Sequence, residues 1–493
     1  MDIHAQRRQQ LAQSLGAGGV AVMATAPTRA RNRDSEYPYR FDSSFYYLTG
    51  FTEPHAVLFL NAQGESVLFC QPKDESREIW DGVRLGPEQA PAVLGLTQAF
   101  SIEELDRLAP ELLKHHDTWW TPFDAAPEFE AQVQGWNLKL QGMVRSGVKP
   151  ASTRKNLSML VDEMRLIKDA QEIATMRSAC DISSLAHRQA MRLCAERVRA
   201  GLETREFHLE AELLHVFRQH GSEAPAYTSI VAAGANACVL HYRAERGLIQ
   251  AGELVLIDAG CELGGYASDI TRTFPANGVF AGAQRDLYAL VLLSQEAAIA
   301  QTRVGAKFTD PHDASVRVLA QGLLDLGLLS PNLHGSVDDV IEHKHYTPFY
   351  MHRTSHWLGL DVHDCGAYVE SEPRVTEAAQ RAPATPATPA TPATPAFSAP
   401  TWQAVLDNPS NASGNAPSNK TAATNPAPRR LQAGMVLTIE PGLYVRPSDT
   451  VPPAFWNIGI RIEDDAWVTP SGAQLLSRGV PVEIEAIEEI MRA

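Results

Sequence analysis

The sequence predicts an α+β protein: a mixed α/β N-terminal domain, a larger domain of helices and antiparallel strands, and a low-complexity segment inserted into the second. Three observations carry this. Short apolar runs before residue 165 (19–24, 56–60 and 66–70) have the length and composition of strands in a small sheet. From Leu157 the pattern changes, and LSMLVDEMRLIKDAQEIATMRSACDISSLAHRQAMRLC repeats its apolar residues at three and four with charges between them. Residues 371–430 contain Ala-Thr-Pro four times and then Asn, Ser, Ala and Pro without period, a composition that buries too little apolar surface to offset its ordering entropy. The expected domains are therefore 1–165 and 166–493, with a disordered insertion at 371–430.

Within the first domain, DSEYPYRFDSSFYYLTGF (34–51) interleaves aromatics with charge, a density more typical of core or subunit contacts than of a ligand platform. The second domain begins with the long helical pattern, followed by an amphipathic helix over 206–219 and a strand beginning at Ser229. LVLIDAG (254–260) is a buried strand ending in Asp258, and a charge seldom ends so apolar a run without a partner. The turn-rich CELGGY leads to a second strand carrying Asp269 in SDITRTF. Two carboxylates on one hairpin repel unless a cation lies between them. MVLTIEPGLY and GIRIED repeat the pattern with Glu440 and Glu463.

YMHRTSHWLGLDVHD (350–364) places His352, His356 and His363 within twelve residues of one another, with apolar residues between. Neutral imidazole is a common metal ligand and a proton donor or acceptor near neutral pH. A zinc-protease HExxH helix is excluded, because Arg353 and Thr354 occupy its interior positions. Taken alone, the segment is as consistent with hydrogen-bonded core histidines as with a site.

Composition removes several partners. A net charge of −15 argues against a phosphate-tracking surface, and so against nucleic acid. No apolar run reaches the roughly 18 residues that span a bilayer, and the first residues lack the apolar core of a signal peptide. The six cysteines are scattered, with no CxxC pair, so reduced thiols and a cytoplasmic location are expected.

Asp258, Asp269, Glu440 and Glu463 carry four negative charges and His356 adds a neutral nitrogen, a set that two divalent cations would balance. An oxygen-rich site with one imidazole suits Mn²⁺, Co²⁺ or Zn²⁺. Each carboxylate alone is more often a cap or an ion-pair partner. Their matching strand contexts argue for one joint site. Carboxylates can bridge ions about 3.5–4 Å apart, with water held between them as an acidified nucleophile.

LIDAGCELGGYASDITRTF, HWLGLDVHD, MVLTIEPGLY and GIRIED together resemble the Xaa-Pro aminopeptidase (aminopeptidase P) family, metallopeptidases of creatinase-like pita-bread fold. DSEYPYRFDSSFYYLTGF and EIWDGVRLG extend the resemblance through the N-terminal half. It implies hydrolysis of the bond between an N-terminal residue and a following proline, by attack of a hydroxide bridging two metal ions, with Mn²⁺ expected. Asp258, Asp269, His356, Glu440 and Glu463 would be the metal ligands, with Asp269 and Glu463 bridging. His241, His352 and His363 match the family's active-site histidines, credited with contacting substrate and stabilising the tetrahedral intermediate. Glu440 would also accept a proton from the attacking water. Arg461 matches an arginine beside the ligands, and Tyr444 a substrate-binding position. Trp80 and Asp34 fall where the family's N-terminal domain closes a neighbouring subunit's site, which implies a homo-oligomer, dimer or tetramer.

One departure from the bacterial pattern is the segment inserted between Asp364 and Glu440. The fold tolerates it, since each doubling of a flexible loop adds only about 0.6 kcal/mol of closure entropy. Two other functions compete. A prolidase shares the ligands but acts on dipeptides, and a non-catalytic pita-bread binding protein would lack ligands that are all present here. Methionine aminopeptidase is disfavoured by the large N-terminal domain.

Overall fold

The computed structural model of the protein describes residues 2–243, 246–370 and 426–492. Among these, Met1–Ala367 and Arg430–Ala493 form one compact unit. Its N-terminal part is a mixed six-stranded sheet of β1 (Gly19–Ala24), β2 (Val57–Asn61), β3 (Ser66–Cys70), β4 (Gln98–Ser101), β5 (Thr118–Thr121) and β6 (Thr153–Asn156), in the order β4-β3-β2-β1-β5-β6. Both faces are covered. Ala21, Met23, Leu58 and Leu60 enter one core cluster while Val20, Val22, Val57 and Phe59 enter another with Trp119 and Trp136. Burial on both sides is why these strands read as continuous apolar runs and not as an alternation.

The helical stretch after the sheet is two helices, Ser158–Leu166 and Ala170–Arg199. Asp169 divides them: its side chain accepts from the Gln171 and Glu172 amides, and its own amide donates to the Glu172 carboxylate in a capping box. The amphipathic period runs across this break unchanged, so the sequence alone suggested one segment. The helix Glu206–Gln219 follows where expected.

Short antiparallel sheets build the rest. β8 (Ile230–Ala233), β9 (Leu254–Asp258) and β12 (Thr271–Pro275) form one, with β9 central, and β10 (Cys261–Leu263) pairs with β7 (Ala224–Pro225) and β11 (Tyr266–Ala267) in another. β13 (Val436–Ile439), β16 (Asp464–Thr469) and β17 (Gly472–Leu475) form a third, and β14 (Gly442–Val445) pairs with β15 (Ile458–Arg461). Asp258 and Asp269 are thus not on directly consecutive strands. The β10–β11 hairpin, turning on Gly264 and Gly265 at positive φ, separates them, and Asp269 stands in the irregular segment before β12. Gly260 brings them together: a Cβ there would lie 1.7 Å from the Ser268 carbonyl oxygen.

Tyr368–Arg429 is a unit of its own. Residues 371–425, most of the expected insertion, lie outside the described residues. Its ends are ordered, contrary to the expected boundary at 430: the Glu370 amide donates to Ala427 O at 2.8 Å and the Arg429 amide to Tyr368 O at 3.0 Å. Backbone pairing, which needs no apolar side chains, accounts for the difference.

Candidate metal centre and active site

Two backbone ladders assemble the acidic residues. In the first, Asp258 at the end of β9 lies opposite Thr271 of β12, and the Glu463 amide donates to Thr271 O at 3.1 Å. Thr271 Oγ1 also donates to Glu463 Oε2 at 2.5 Å. Arg272, fully buried, donates to Glu463 O at 2.6 Å and pairs with Asp464 at 2.8 Å, so the turn that presents Glu463 is held from behind. In the second ladder the Thr438 amide donates to His356 O at 3.0 Å, the His356 amide to Thr438 Oγ1 at 3.1 Å, and the Glu440 amide to Thr354 O at 2.8 Å. This fixes the histidine segment, mostly irregular, along β13.

Asp269, His356 and Glu463 come together with one ligand atom of each within 4.8 Å of the others. Glu440 joins from the other ladder, its Oε1 3.6 Å from His356 Nε2, while Asp269 Oδ2 is 3.4 Å from the same nitrogen. His356 Nδ1 donates to Trp357 O at 2.9 Å, so Nε2 carries the lone pair. That lone pair faces two carboxylates, an arrangement that calls for a positive charge between them. Without a metal ion the charge is a proton: burial opposes it, but Asp269 and Glu440 raise the His356 pKa to about 9. Asp258 is linked to Asp269 through Tyr227, whose hydroxyl stands 2.5 Å from Asp258 Oδ1 and 2.6 Å from Asp269 Oδ1 with a single proton to give. Burial and the neighbouring carboxylates push Glu463 well above the ordinary range, and Glu440, buried but opposed by His356 and Arg461, rises to about 7. Crowded oxygens, one imidazole with its tautomer fixed, and no thiolate fit a hard or borderline divalent cation.

Arg461 ties the cluster to its surroundings. Its guanidinium pairs with Asp258 Oδ2, donates to Tyr444 OH at 2.9 Å through Nη1, and to Thr271 Oγ1 at 3.0 Å through Nε. Tyr444 OH is in turn 2.8 Å from His352 Nε2, and His352 Nδ1 donates to Arg353 O at 2.8 Å. Burial, and then the charge of Arg461, lower the His352 pKa to about 3, so this ring is neutral. The exposed His363 packs against His356, its ring tilted by 32° with centroids 4.1 Å apart. His241 is also exposed and lies close enough to His352 and His363 to influence both rings.

Trp80 and Asp34 are not brought to this cluster within the chain. Trp80 is 84% exposed on the helix Glu75–Asp81, Asp34 lies in an exposed turn, and neither bonds to the cluster among the described residues. Two contributors escaped sequence reasoning. Tyr227 sits in APAYTSI, where nothing marks a tyrosine as polar cargo. Asp465 is one of three consecutive acids, yet it is fully buried, and its Oδ2 accepts from the Asp269 amide at 3.1 Å and from Cys180 Sγ at 3.1 Å.

Acidic side chains at or just beyond the ends of antiparallel strands, gathered around one imidazole, make up the donor set of a metal-dependent hydrolase. The chain belongs to metallopeptidase family M24, whose model matches residues 174–470, and residues 4–120 match the Aminopeptidase P N-terminal domain. It is 37% identical over 492 residues to the Xaa-Pro aminopeptidase of Escherichia coli K12, covering 99% of this chain and 97% of that one. The solved Pseudomonas aeruginosa aminopeptidase PepP superposes with a TM-score of 0.84 at 40% identity, covering 99% and 97% of the two chains. A zinc-substituted E. coli aminopeptidase P in complex with product matches with a TM-score of 0.83 at 37% identity, covering 99% and 98%.

Proposed function

We propose that the protein is an Xaa-Pro aminopeptidase of two domains, 1–165 and 166–493, which uses two divalent ions, Mn²⁺ by preference, to release an N-terminal residue that precedes proline. The observation carrying this is the convergence of Asp269, His356 and Glu463 within 4.8 Å, with Glu440 facing the same imidazole nitrogen. Asp258, Asp269, His356, Glu440 and Glu463 would hold the metal. When bound, the metal supplies Lewis acidity, lowering the pKa of water and polarising the scissile carbonyl. Glu440, with Oε1 facing His356 and Oε2 toward His352, would accept a proton at Oε2 and return it to the departing proline nitrogen. His363, exposed beside His356, donates a hydrogen bond to the oxygen that gains charge. His352 offers substrate a neutral ring, since both its nitrogens are already bonded, and with Arg461 it fixes the hydroxyl of Tyr444 at the substrate site. His241 contributes a further contact from its own loop.

The X-Pro bond has no amide N–H on the leaving side, so peptidases that bind that group fail on it and a dedicated site is needed. A prolidase is not favoured, because the full-length relatives described above are named aminopeptidases. No helix among the described residues is long and apolar enough to cross a membrane. Six unpaired cysteines favour a cytoplasmic setting. The exposed Ile79, Trp80 and Val83 favour a homo-oligomer in which Trp80 and Asp34 reach a neighbouring copy's site. The direct test is chelation: hydrolysis of Ala-Pro-Ala should vanish and return with Mn²⁺, and full activity in metal-free protein would refute the reading.

A further inference from the structure

Glu206 opens the helix Glu206–Gln219 and is fully buried. In sequence it reads as a solvated first-turn charge that suits the helix dipole. A carboxylate removed from water usually has a cation beside it. Among the described residues, the hydrogen-bond partners of Glu206 are instead four neutral donors. Oε1 accepts from the Ala233 amide at 3.0 Å and Asn236 Nδ2 at 2.8 Å, and Oε2 from Tyr242 OH at 2.8 Å and the Gly247 amide at 3.0 Å. Only an ionised carboxylate, acceptor at every lone pair, satisfies four donors at once.

The two oxygens serve different ends. Oε1 holds the end of β8 and the turn after it. Oε2 holds Tyr242, the residue next to His241, and Gly247, on the arm by which that loop returns. The arm is secured again by the backbone, with the Glu206 amide donating to Gly247 O at 3.1 Å and the Ile249 amide to Thr204 O at 2.8 Å. The contact requires glycine: a Cβ on Gly247 would lie 2.3 Å from Glu206 Oε2.

We propose that Glu206 is a positioning residue for His241, its carboxylate gripping Tyr242 and Gly247 so that the imidazole stands beside His352 and His363 and meets the substrate. The inference rests on the reading of His241 as a substrate contact. Glutamine at this position keeps the shape but turns an N–H₂ toward one pair of donors. Where it faces Tyr242, the hydroxyl can reverse its bond, but the Gly247 amide cannot.

The test uses the full-length, Mn²⁺-loaded enzyme and Ala-Pro-Ala. E206Q is expected to lower kcat/KM at least ~10-fold, the scale of one buried donor left unpaired. Tyr242→Phe, a milder change if E206Q folds poorly, should lower it about 3-fold. The discriminating readout is the double variant. In a His241→Ala background E206Q or Tyr242→Phe should cost less than about another 2-fold, since the group being positioned is gone. A full multiplicative loss in that background would overturn the proposal. Amide exchange gives a second reading, independent of catalysis: Tyr242 and Gly247 should exchange faster in E206Q while Val255 to Ile257 stay unchanged. Unchanged exchange at Gly247 would overturn the positioning role and leave the peptidase reading intact. Wild-type turnover in His241→Ala would remove His241 from the reaction, and the positioning claim with it.

Discussion

Two demands meet on the carboxylate of Glu440. Oε1 faces His356 Nε2 at 3.6 Å, as a metal ligand should, while Oε2 lies 3.8 Å from His352 Nδ1, whose proton is committed to Arg353 O. Glu440→Gln keeps the shape while removing the charge and the base, so turnover should fall by at least ~10² with the melting temperature little changed. Near-normal turnover would take Glu440 out of the mechanism. His363 differs, because it is exposed and packs little. His363→Ala should lower kcat by about 10-fold or more while chemical denaturation shifts little. Burial, and then His356, lower the His363 pKa, so its neutral form persists at neutral pH and any loss from protonating it appears only on the acid side.

Among the elements, the junction between the N-terminal sheet and the histidine segment is held by a buried charge cluster. Asp364 accepts from Lys168 Nζ at 2.8 Å and Arg165 Nη2 at 2.6 Å, and Arg165 continues to Asp361 and to Ser44. Burial alone would raise the Asp364 pKa, but Lys168 and Arg165 outweigh it and hold the carboxyl below its ordinary range. A depressed folded pKa stabilises fully above the unfolded value of about 3.9, and that stability is lost as pH falls through the folded value. Lys168→Met should therefore cost ~3 kcal/mol at pH 7, because Asp364 stays buried with one partner fewer. The difference from wild type should shrink in urea titrations at acid pH. An equal difference at all pH values would mean the loss is packing alone. For the inserted segment, Val369 bridges Pro428, so the described residues on either side of a 376–425 deletion already lie side by side. The deletion should leave peptidase activity and melting temperature almost unchanged, and aggregation or lost activity would contradict its expected lack of packing.

These elements also mark how far sequence reasoning reaches. Apolar strands ending in carboxylates were legible, because burial and charge conflict at Asp258, Glu440 and Glu463 and the conflict shows in a local window. The break at Asp169 was not, since the apolar period continues across it. Tyr227, Asp465 and Glu206 were hidden for another reason: each draws its importance from partners far along the chain, and a tyrosine or a first-turn glutamate looks ordinary until those partners are known. Trp80 was legible only through the family resemblance, and its exposure within one chain adds nothing to that.

At the scale of the whole molecule, metal, fold and chemistry are linked. With His356 raised to about 9 in the metal-free site, a cation must displace a proton. Metal affinity should therefore rise with pH below about 9, by up to tenfold per unit for one proton released, and calorimetry in buffers of different ionisation enthalpy would count that proton. Affinity independent of pH would mean His356 is not a ligand. Removing metal should also lower the melting temperature, since the clustered carboxylates then keep only the His356 proton and Arg461 as counter-charge, and Mn²⁺ should restore it. Substrate length decides the central claim. A dipeptidase recognises the free proline carboxylate, whereas an aminopeptidase leaves that end open to a longer chain. The measurement is the specificity constant of the Mn²⁺ enzyme for Ala-Pro-Ala, Ala-Pro and Ala-Ala-Ala. Ala-Pro-Ala should be cleaved well ahead of the other two. Preference for Ala-Pro would make the protein a prolidase, and cleavage of none of them would contradict the peptidase assignment altogether.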